Sequence, residues 1–176
     1  MAKRNSKPGQ HGTRRTKTSE YGLRLREKQK LRRFYGLNES QFAQIYEKAA
    51  AMPGQTGHDF LQLLERRLDN VVYRLGLAVS RRQARELVRH GHFLVNGRKL
   101  DIPSAVLRAG DVVSVREKSR DVAVLKGNAE VAASRAVPAW LEINGEAMSG
   151  RVVTLPVREQ IEVPVNEQLV VEFYAR

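Results

Sequence analysis

SRRQARELVRHGHFLVNGRKL, Ser80 to Leu100, is the stretch whose reading decides the fold. Ser80 offers a hydroxyl to the open amides of a first helical turn, and Gln83, three residues on, is placed to close a capping box. At about 100° per residue, Ala84, Leu87 and Val88 share one face of that helix. Arg81, Arg82, Arg85 and Arg89 gather on the neighbouring face. Gly91 supplies a left-handed stop. Phe93, Leu94 and Val95 then form a short apolar run, and Asn96-Gly97 is a strong two-residue hairpin signal with Arg98 and Lys99 just beyond it. A helix followed by a hairpin is predicted, dry on one side and cationic on the other.

A surface run of charge is often only a solvated face. Here Arg81, Arg85 and Arg89 recur at helical spacing with only Glu86 near to neutralise them. They are therefore expected to repel one another without a partner, and alanine at all three should leave stability unchanged or slightly raised. Guanidinium is also the planar, bidentate donor suited to phosphates and splayed bases. The helix reads as built to meet RNA or DNA.

The distribution of charge supports that reading. The net charge of +12 is not spread evenly over the 176 residues. Residues 1–35 hold twelve Lys/Arg against Glu20 and Glu27, and residues 60–120 hold thirteen against six carboxylates. The stretches 36–59 and 121–176 are net acidic. Cations segregated in this way point to a polyanionic partner. The chain has no cysteine, which excludes disulfides and thiolate metal sites. No apolar run reaches membrane-spanning length, and the basic N-terminus carries no hydrophobic stretch of a secretory signal. A cytoplasmic protein is expected.

Residues 1–18 (MAKRNSKPGQHGTRRTKT) lack apolar periodicity and read as an arm that orders along phosphates. Ser19 caps a helix to about Tyr35, with Leu23, Leu31 and Phe34 on its apolar stripe. Asn38 or Ser40 starts a second helix with Phe42, Ile45 and Ala49 inward, ended at Met52-Pro53-Gly54. A third is predicted from about Asp59 to Leu75, with Phe60, Leu64, Leu68, Val71, Val72 and Leu75 as its core face. After the hairpin come the turn at Gly110-Asp111 and a strand Val112–Val115. Residues 119–135 read as a helical connector interrupted by Gly127. A β-rich tail follows, with strands at Trp140–Ile143, Val152–Leu155, Ile161–Val163 and Leu169–Tyr174.

From Arg66 to Lys118 (RRLDNVVYRLGLAVSRRQARELVRHGHFLVNGRKL, then IPS and GDVVSVREK) the sequence resembles the small RNA-binding module named after ribosomal protein S-four. KPGQHG at Lys7–Gly12, YGLRLREKQKLRRFYG at Tyr21–Gly36 and VEFYAR at Val171–Arg176 are similar to the bacterial S-four ribosomal protein family itself, in that family's order. The resemblance implies a primary binder of small-subunit ribosomal RNA. Such a protein grips a multi-helix junction in the 5′ domain and nucleates assembly. In the family it lies beside the neighbouring protein S-five, near the path by which mRNA enters the subunit, and affects decoding accuracy. Family members often carry a cysteine cluster, proposed to hold zinc, ahead of the KPGQHG-like motif. This sequence begins a few residues before that motif, so no zinc is carried over.

Enzymatic chemistry finds little support. His90 and His92 flank Gly91, but no cysteine or carboxylate stands at ligand spacing to make them a metal site. Arg67-Leu68-Asp69 looks like the aspartate motif of pseudouridine synthases, some of which carry this same module. Here it falls mid-helix, Asp69 is expected to pair with a nearby arginine, and too little chain remains for a catalytic domain. No phosphate-cradling glycine loop or catalytic triad is legible. A stand-alone binder of stalled ribosomal particles is the other rival, and the KPGQHG and VEFYAR flanks argue against it.

An α+β protein without cofactor, metal, small-molecule substrate or membrane contact is therefore expected. It divides into a basic arm (1–18), a helical domain (19–61) completed by 165–176, an RNA-binding module (62–122) of two helices and a hairpin-based sheet, and a connector helix with a β extension (123–164). The RNA-binding candidates are Lys3, Arg4, Lys7, Gln10, His11, Arg14, Arg15 and Lys17 in the arm. The first helix adds Tyr21, Arg24, Lys28, Lys30, Arg32 and Arg33. The module adds Arg67, Arg81, Arg82, Arg85, Arg89, His90, His92, Asn96, Arg98, Lys99, Arg116 and Lys118.

Overall fold

The computed structural model describes Gln10 and residues 19–132, 136–145 and 147–175, with backbone alone at 129–132. The arm candidates other than Gln10 lie outside the described residues. The fold is α+β: seven helices and one antiparallel sheet of five strands among the described residues.

Three helices open the chain: α1 (Glu20–Phe34), α2 (Glu39–Ala50) and α3 (Thr56–Glu65). The caps are those the sequence offers. Ser19 Oγ accepts from the Gly22 amide at 3.2 Å, and the Asn38 side chain accepts from the Gln41 amide at 2.8 Å. Leu31, Phe42, Ala49, Phe60, Leu61 and Leu64 close into a first core. Leu23 does not join it; it is 47% exposed.

The predicted helix Asp59–Leu75 is two helices. α3 stops at Glu65, Arg67 is extended (φ −62°, ψ 139°), and α4 (Leu68–Arg74) restarts. The loop 102–107 accounts for the break. The amides of Leu68 and Asp69 donate to the carbonyls of Ala105 and Pro103, and Leu107 N–H donates to Arg66 O. No glycine or proline marks the site, and the apolar spacing continues through it, so periodicity alone predicted one rod.

A second core surrounds α4, α5 (Arg81–Arg89) and the sheet, and includes Leu68, Val72, Leu75, Ala84, Val88, Phe93, Val113, Trp140 and Val152. Ser80 Oγ accepts from the Gln83 amide, while Gln83 Oε1 reaches one residue further back than expected, to Val79 N–H. β1 (Phe93–Val95) and β2 (Arg98–Lys99) form the hairpin, with Val95 opposite Arg98. Asn96 and Gly97 both take positive φ (50° and 78°), as a two-residue primed turn requires. β3 (Val112–Val115), β4 (Leu141–Asn144) and β5 (Ser149–Val152) complete the order β2-β1-β3-β5-β4. α6 (Ala123–Ala132) runs through Gly127 without interruption.

The tail departs most from expectation. Ile161 and Val163 are buried in alternation, yet among the described residues no strand lies beside them to form a ladder; both drop into the first core. Leu169–Tyr174 is not a strand either. It belongs to α7 (Glu167–Tyr174), capped by Asn166, whose side chain accepts from the Gln168 amide at 3.0 Å. Val170 sits fully buried beside α1 and α3, and Tyr174 stacks on Tyr46 at 4.5 Å. A short run such as QLVVEFY fits either periodicity, and the neighbouring helices decide.

Candidate nucleic-acid interface

Between the two cores lies a network of buried charge. Glu65 is fully buried at the end of α3. It accepts from Tyr35 Oη at 2.7 Å, Asn70 Nδ2 at 2.8 Å, and Arg74 Nε and Nη2 at 3.0 and 2.7 Å. Burial pushes its carboxyl up, but the Arg74 fork and the two neutral donors outweigh that and hold it below the ordinary glutamate value. Burial, reinforced by the Glu65 charge, raises the Tyr35 phenol well above its ordinary value.

Asp69, also buried, is shared by two guanidinium groups. Arg67 grips it from Nε and Nη2 at 3.1 and 2.8 Å, and Arg85 from Nε and Nη2 at 3.1 and 2.9 Å. Arg85 also donates from Nη1 to Gly36 O at 2.6 Å and from Nη2 to Tyr35 O at 3.4 Å. Arg81 donates from Nε to Asn70 Oδ1 at 2.8 Å and lies over Phe34 at 4.1 Å and Tyr73 at 4.5 Å. Its Nη2 is enclosed without a hydrogen-bond partner.

These bonds correct the expectation of unpartnered arginines. Arg81 and Arg85 are held by groups from α1, the turn after it and α4, so alanine at either is expected to lower stability, not raise it. The sequence places Asp69, Asn70 and Phe34 far from α5, and only folding brings them together. Asp69 pairs with arginine, as its position suggested.

Other candidates are also engaged. Arg67 is 4% exposed. Lys28 is equally covered: it pairs with Glu39 at 2.5 Å and lies over the Phe173 ring at 4.5 Å. Asn96 spends its side chain on the sheet, donating to Asp111 Oδ1 at 2.8 Å and accepting from Val112 N–H at 2.9 Å. Arg116 donates to Gly91 O, and His92 Nδ1 lies 3.0 Å from Ser119 Oγ. Arg24 pairs with Glu172 and Glu20, Lys30 with Glu27, and Lys99 with Asp101.

Arg33, Arg89, Arg98 and Lys118 are exposed and form no ion pair among the described residues, and Arg82 makes only a 3.8 Å approach to Glu86. Tyr21 and His90 are exposed as well. Arg26, Arg108 and Arg120 belong with this group. Sequence reasoning passed over them, although charge alone could have found them.

Arg32, Arg67, Arg85 and Arg89 line an open groove of about 590 Å³, with Gly36, Leu37, Asn38 and Gln41 on one wall and Pro103 and Ser104 on the other. A second hollow, of about 390 Å³, continues past Arg81, Arg82 and Glu86. Guanidinium groups set among amide and hydroxyl side chains can bind phosphodiesters bidentately and reach sugar or base edges. No cluster of His or acidic residues suited to a metal occurs among the described residues, and none of their helices is long and apolar enough to cross a membrane.

The two cores, the cationic groove and the helix–hairpin with its basic tip are the features of an RNA-binding protein. Residues 1–65 match the family described as Ribosomal protein S4/S9 N-terminal domain, and residues 66–113 match the S4 domain. The boundary falls at the break between α3 and α4. Small ribosomal subunit protein uS4 of Acetivibrio thermocellus is 56% identical over 176 residues, spanning 100% of this chain and 85% of its own length. The protein of that name from Thermoanaerobacter sp. (strain X514) is 58% identical over the whole chain and 84% of its own length. The one from Clostridioides difficile is 55% identical over the same shares. The chain belongs to the uS4 family, a family of structural ribosomal proteins and not of enzymes.

Proposed function

We propose that this chain works in the cytoplasm as a structural protein of the small ribosomal subunit, a primary binder of its ribosomal RNA at a helix junction in the 5′ domain. Binding there nucleates assembly of the subunit. The observation that carries this reading is the groove between the two cores, where Arg32 and Arg89 meet Asn38, Gln41 and Ser104. At a junction several phosphate backbones converge, and a concave cationic surface neutralises them together. The exposed Arg33, Arg82, Arg98 and Lys118 extend the contact, and residues 1–18 act as an arm along phosphates. The helical domain (19–61 with 165–176), the module (62–122) and the extension (123–164) supply the rigid frame. Contact with S-five, proximity to mRNA as it enters, and an influence on decoding accuracy are proposed from the family resemblance alone.

Filter binding of a 5′-domain transcript over a salt series tests the reading. Each neutralised phosphate releases counterions, so log affinity should fall against log salt with a slope of about −5 or steeper. A slope shallower than about −2 would remove the phosphate clamp. Crosslinking within assembled subunits tests the neighbours: recovery of neither S-five nor mRNA would remove both.

A further inference from the structure

We propose that Arg81 and Arg85 are positioning residues: they lock the α1–α3 unit against the S4 module and so set the spacing of the RNA-binding cations on either side. The inference rests on the RNA-binding reading for its consequence, and on geometry for its substance. Arg85 stands on α5, in the module. Four hydrogen bonds tie it at once to Asp69 on α4 and to the backbone carbonyls of Tyr35 and Gly36, which follow α1. Arg81, one turn earlier on α5, bonds Asn70 and lays its guanidinium over both Phe34 of α1 and Tyr73 of α4. Asn70 in turn donates to Glu65, the last residue of α3. Both arginines therefore bridge the two cores, Arg85 through four hydrogen bonds and Arg81 through one hydrogen bond and its ring contacts. A guanidinium fork is suited to this, because one planar group serves a carboxylate and two carbonyls in different directions.

Arg32 and Arg89 line the same groove, one in the helical unit and one in the module. Their separation follows from how the two cores dock. Loosening the lock would leave every phosphate-binding cation in place while making the ensemble pay to align them, which weakens binding without changing the number of ionic contacts.

Lysine substitution separates a lock from a phosphate contact. Arg81→Lys and Arg85→Lys keep the charge, so a residue that only neutralised phosphate would tolerate them. A lock would not, since ammonium reproduces neither the stacking nor the fork. The chain has no cysteine, so Ala50→Cys and Glu142→Cys, both at exposed positions, give one spin-label pair with one label in each unit. In the free protein the parent should give a narrow label-to-label distance distribution and the double lysine variant a broad one. Affinity for the 5′-domain transcript should fall at least tenfold while the parent salt slope is retained. An unchanged distance distribution overturns the proposal, as does a salt slope reduced by about one for each arginine replaced by alanine. Should the double variant fail to fold, Arg85→Lys alone is read by the same two measurements. If the parent binds no transcript, the RNA reading fails, and the distance measurement still decides the lock.

Discussion

At the scale of single residues, the chain keeps its charges in two kinds of place. Some are at the surface and open to a partner, and others are buried and fully employed. Glu65 is the clearest of the second kind. Its carboxyl is held below the ordinary value, so its contribution to stability is complete above the unfolded-state pKa of about 4.3 and is lost as pH falls through the lower folded value. Glu27, Glu39 and Glu167 are lowered too and act in the same window. Tyr35 sets the opposite limit. Its phenol is raised, so the stability it confers is complete below about pH 10 and is lost as pH rises toward the folded value. Chemical denaturation across pH should therefore give a plateau through neutrality, falling on the acid side of the carboxylate range and again above the ordinary tyrosine range. Glu65→Gln should destabilise the fold at pH 7 by about 1–3 kcal/mol in a denaturant titration, because part-buried Arg74 would lose its counter-charge. Gly150 marks a different constraint. A Cβ there would lie 2.3 and 2.7 Å from the two methyls of buried Leu75 and 3.0 Å from Glu142 O. Gly150→Ala should lose about 1–3 kcal/mol by urea titration.

At the scale of elements, sequence legibility followed the range of the controlling interactions. Caps at Ser19, Asn38 and Ser80 and the primed turn at Asn96-Gly97 lie within a few residues of what they govern, and each could be read directly. The split of α3 from α4 could not, because its hydrogen-bond partners sit in the loop 102–107. Nor could the helical state of α7, which is imposed by packing against α1 and α3. The candidate site divides in the same way. Exposure of Arg82, Arg89 and Arg98 fits the helical and hairpin patterns, whereas the engagement of Arg81, Arg85, Lys28 and Arg67 depends on distant partners. Phe42, fully buried and edge-on to Phe60 at 4.9 Å, offers a test of the first core. Phe42→Ala should lower stability by about 3–5 kcal/mol. The same variant should weaken RNA binding only as far as unfolding accounts for, a comparison made by titrating RNA at a temperature well below its transition.

At the scale of the whole molecule, charge and packing are handled by different segments. Residues 2–18 hold six Lys/Arg and no carboxylate. Deleting them should make the salt dependence of RNA binding shallower while leaving the thermal transition of the free protein nearly unmoved. A large drop in that transition would instead make the segment part of the fold. α7 behaves oppositely: it carries no lysine or arginine, yet supplies Val170 and Tyr174 to the first core. This has a consequence for synthesis. A ribosome making this chain releases α1, α2 and α3 first, but the helix that covers them is encoded after the entire module. The earliest-born core therefore cannot be completed until α7 has been made. Until α7 emerges, Phe42, Phe60 and Tyr46 wait with part of their surface open, and their helices are a target for holding chaperones or for association with other nascent chains.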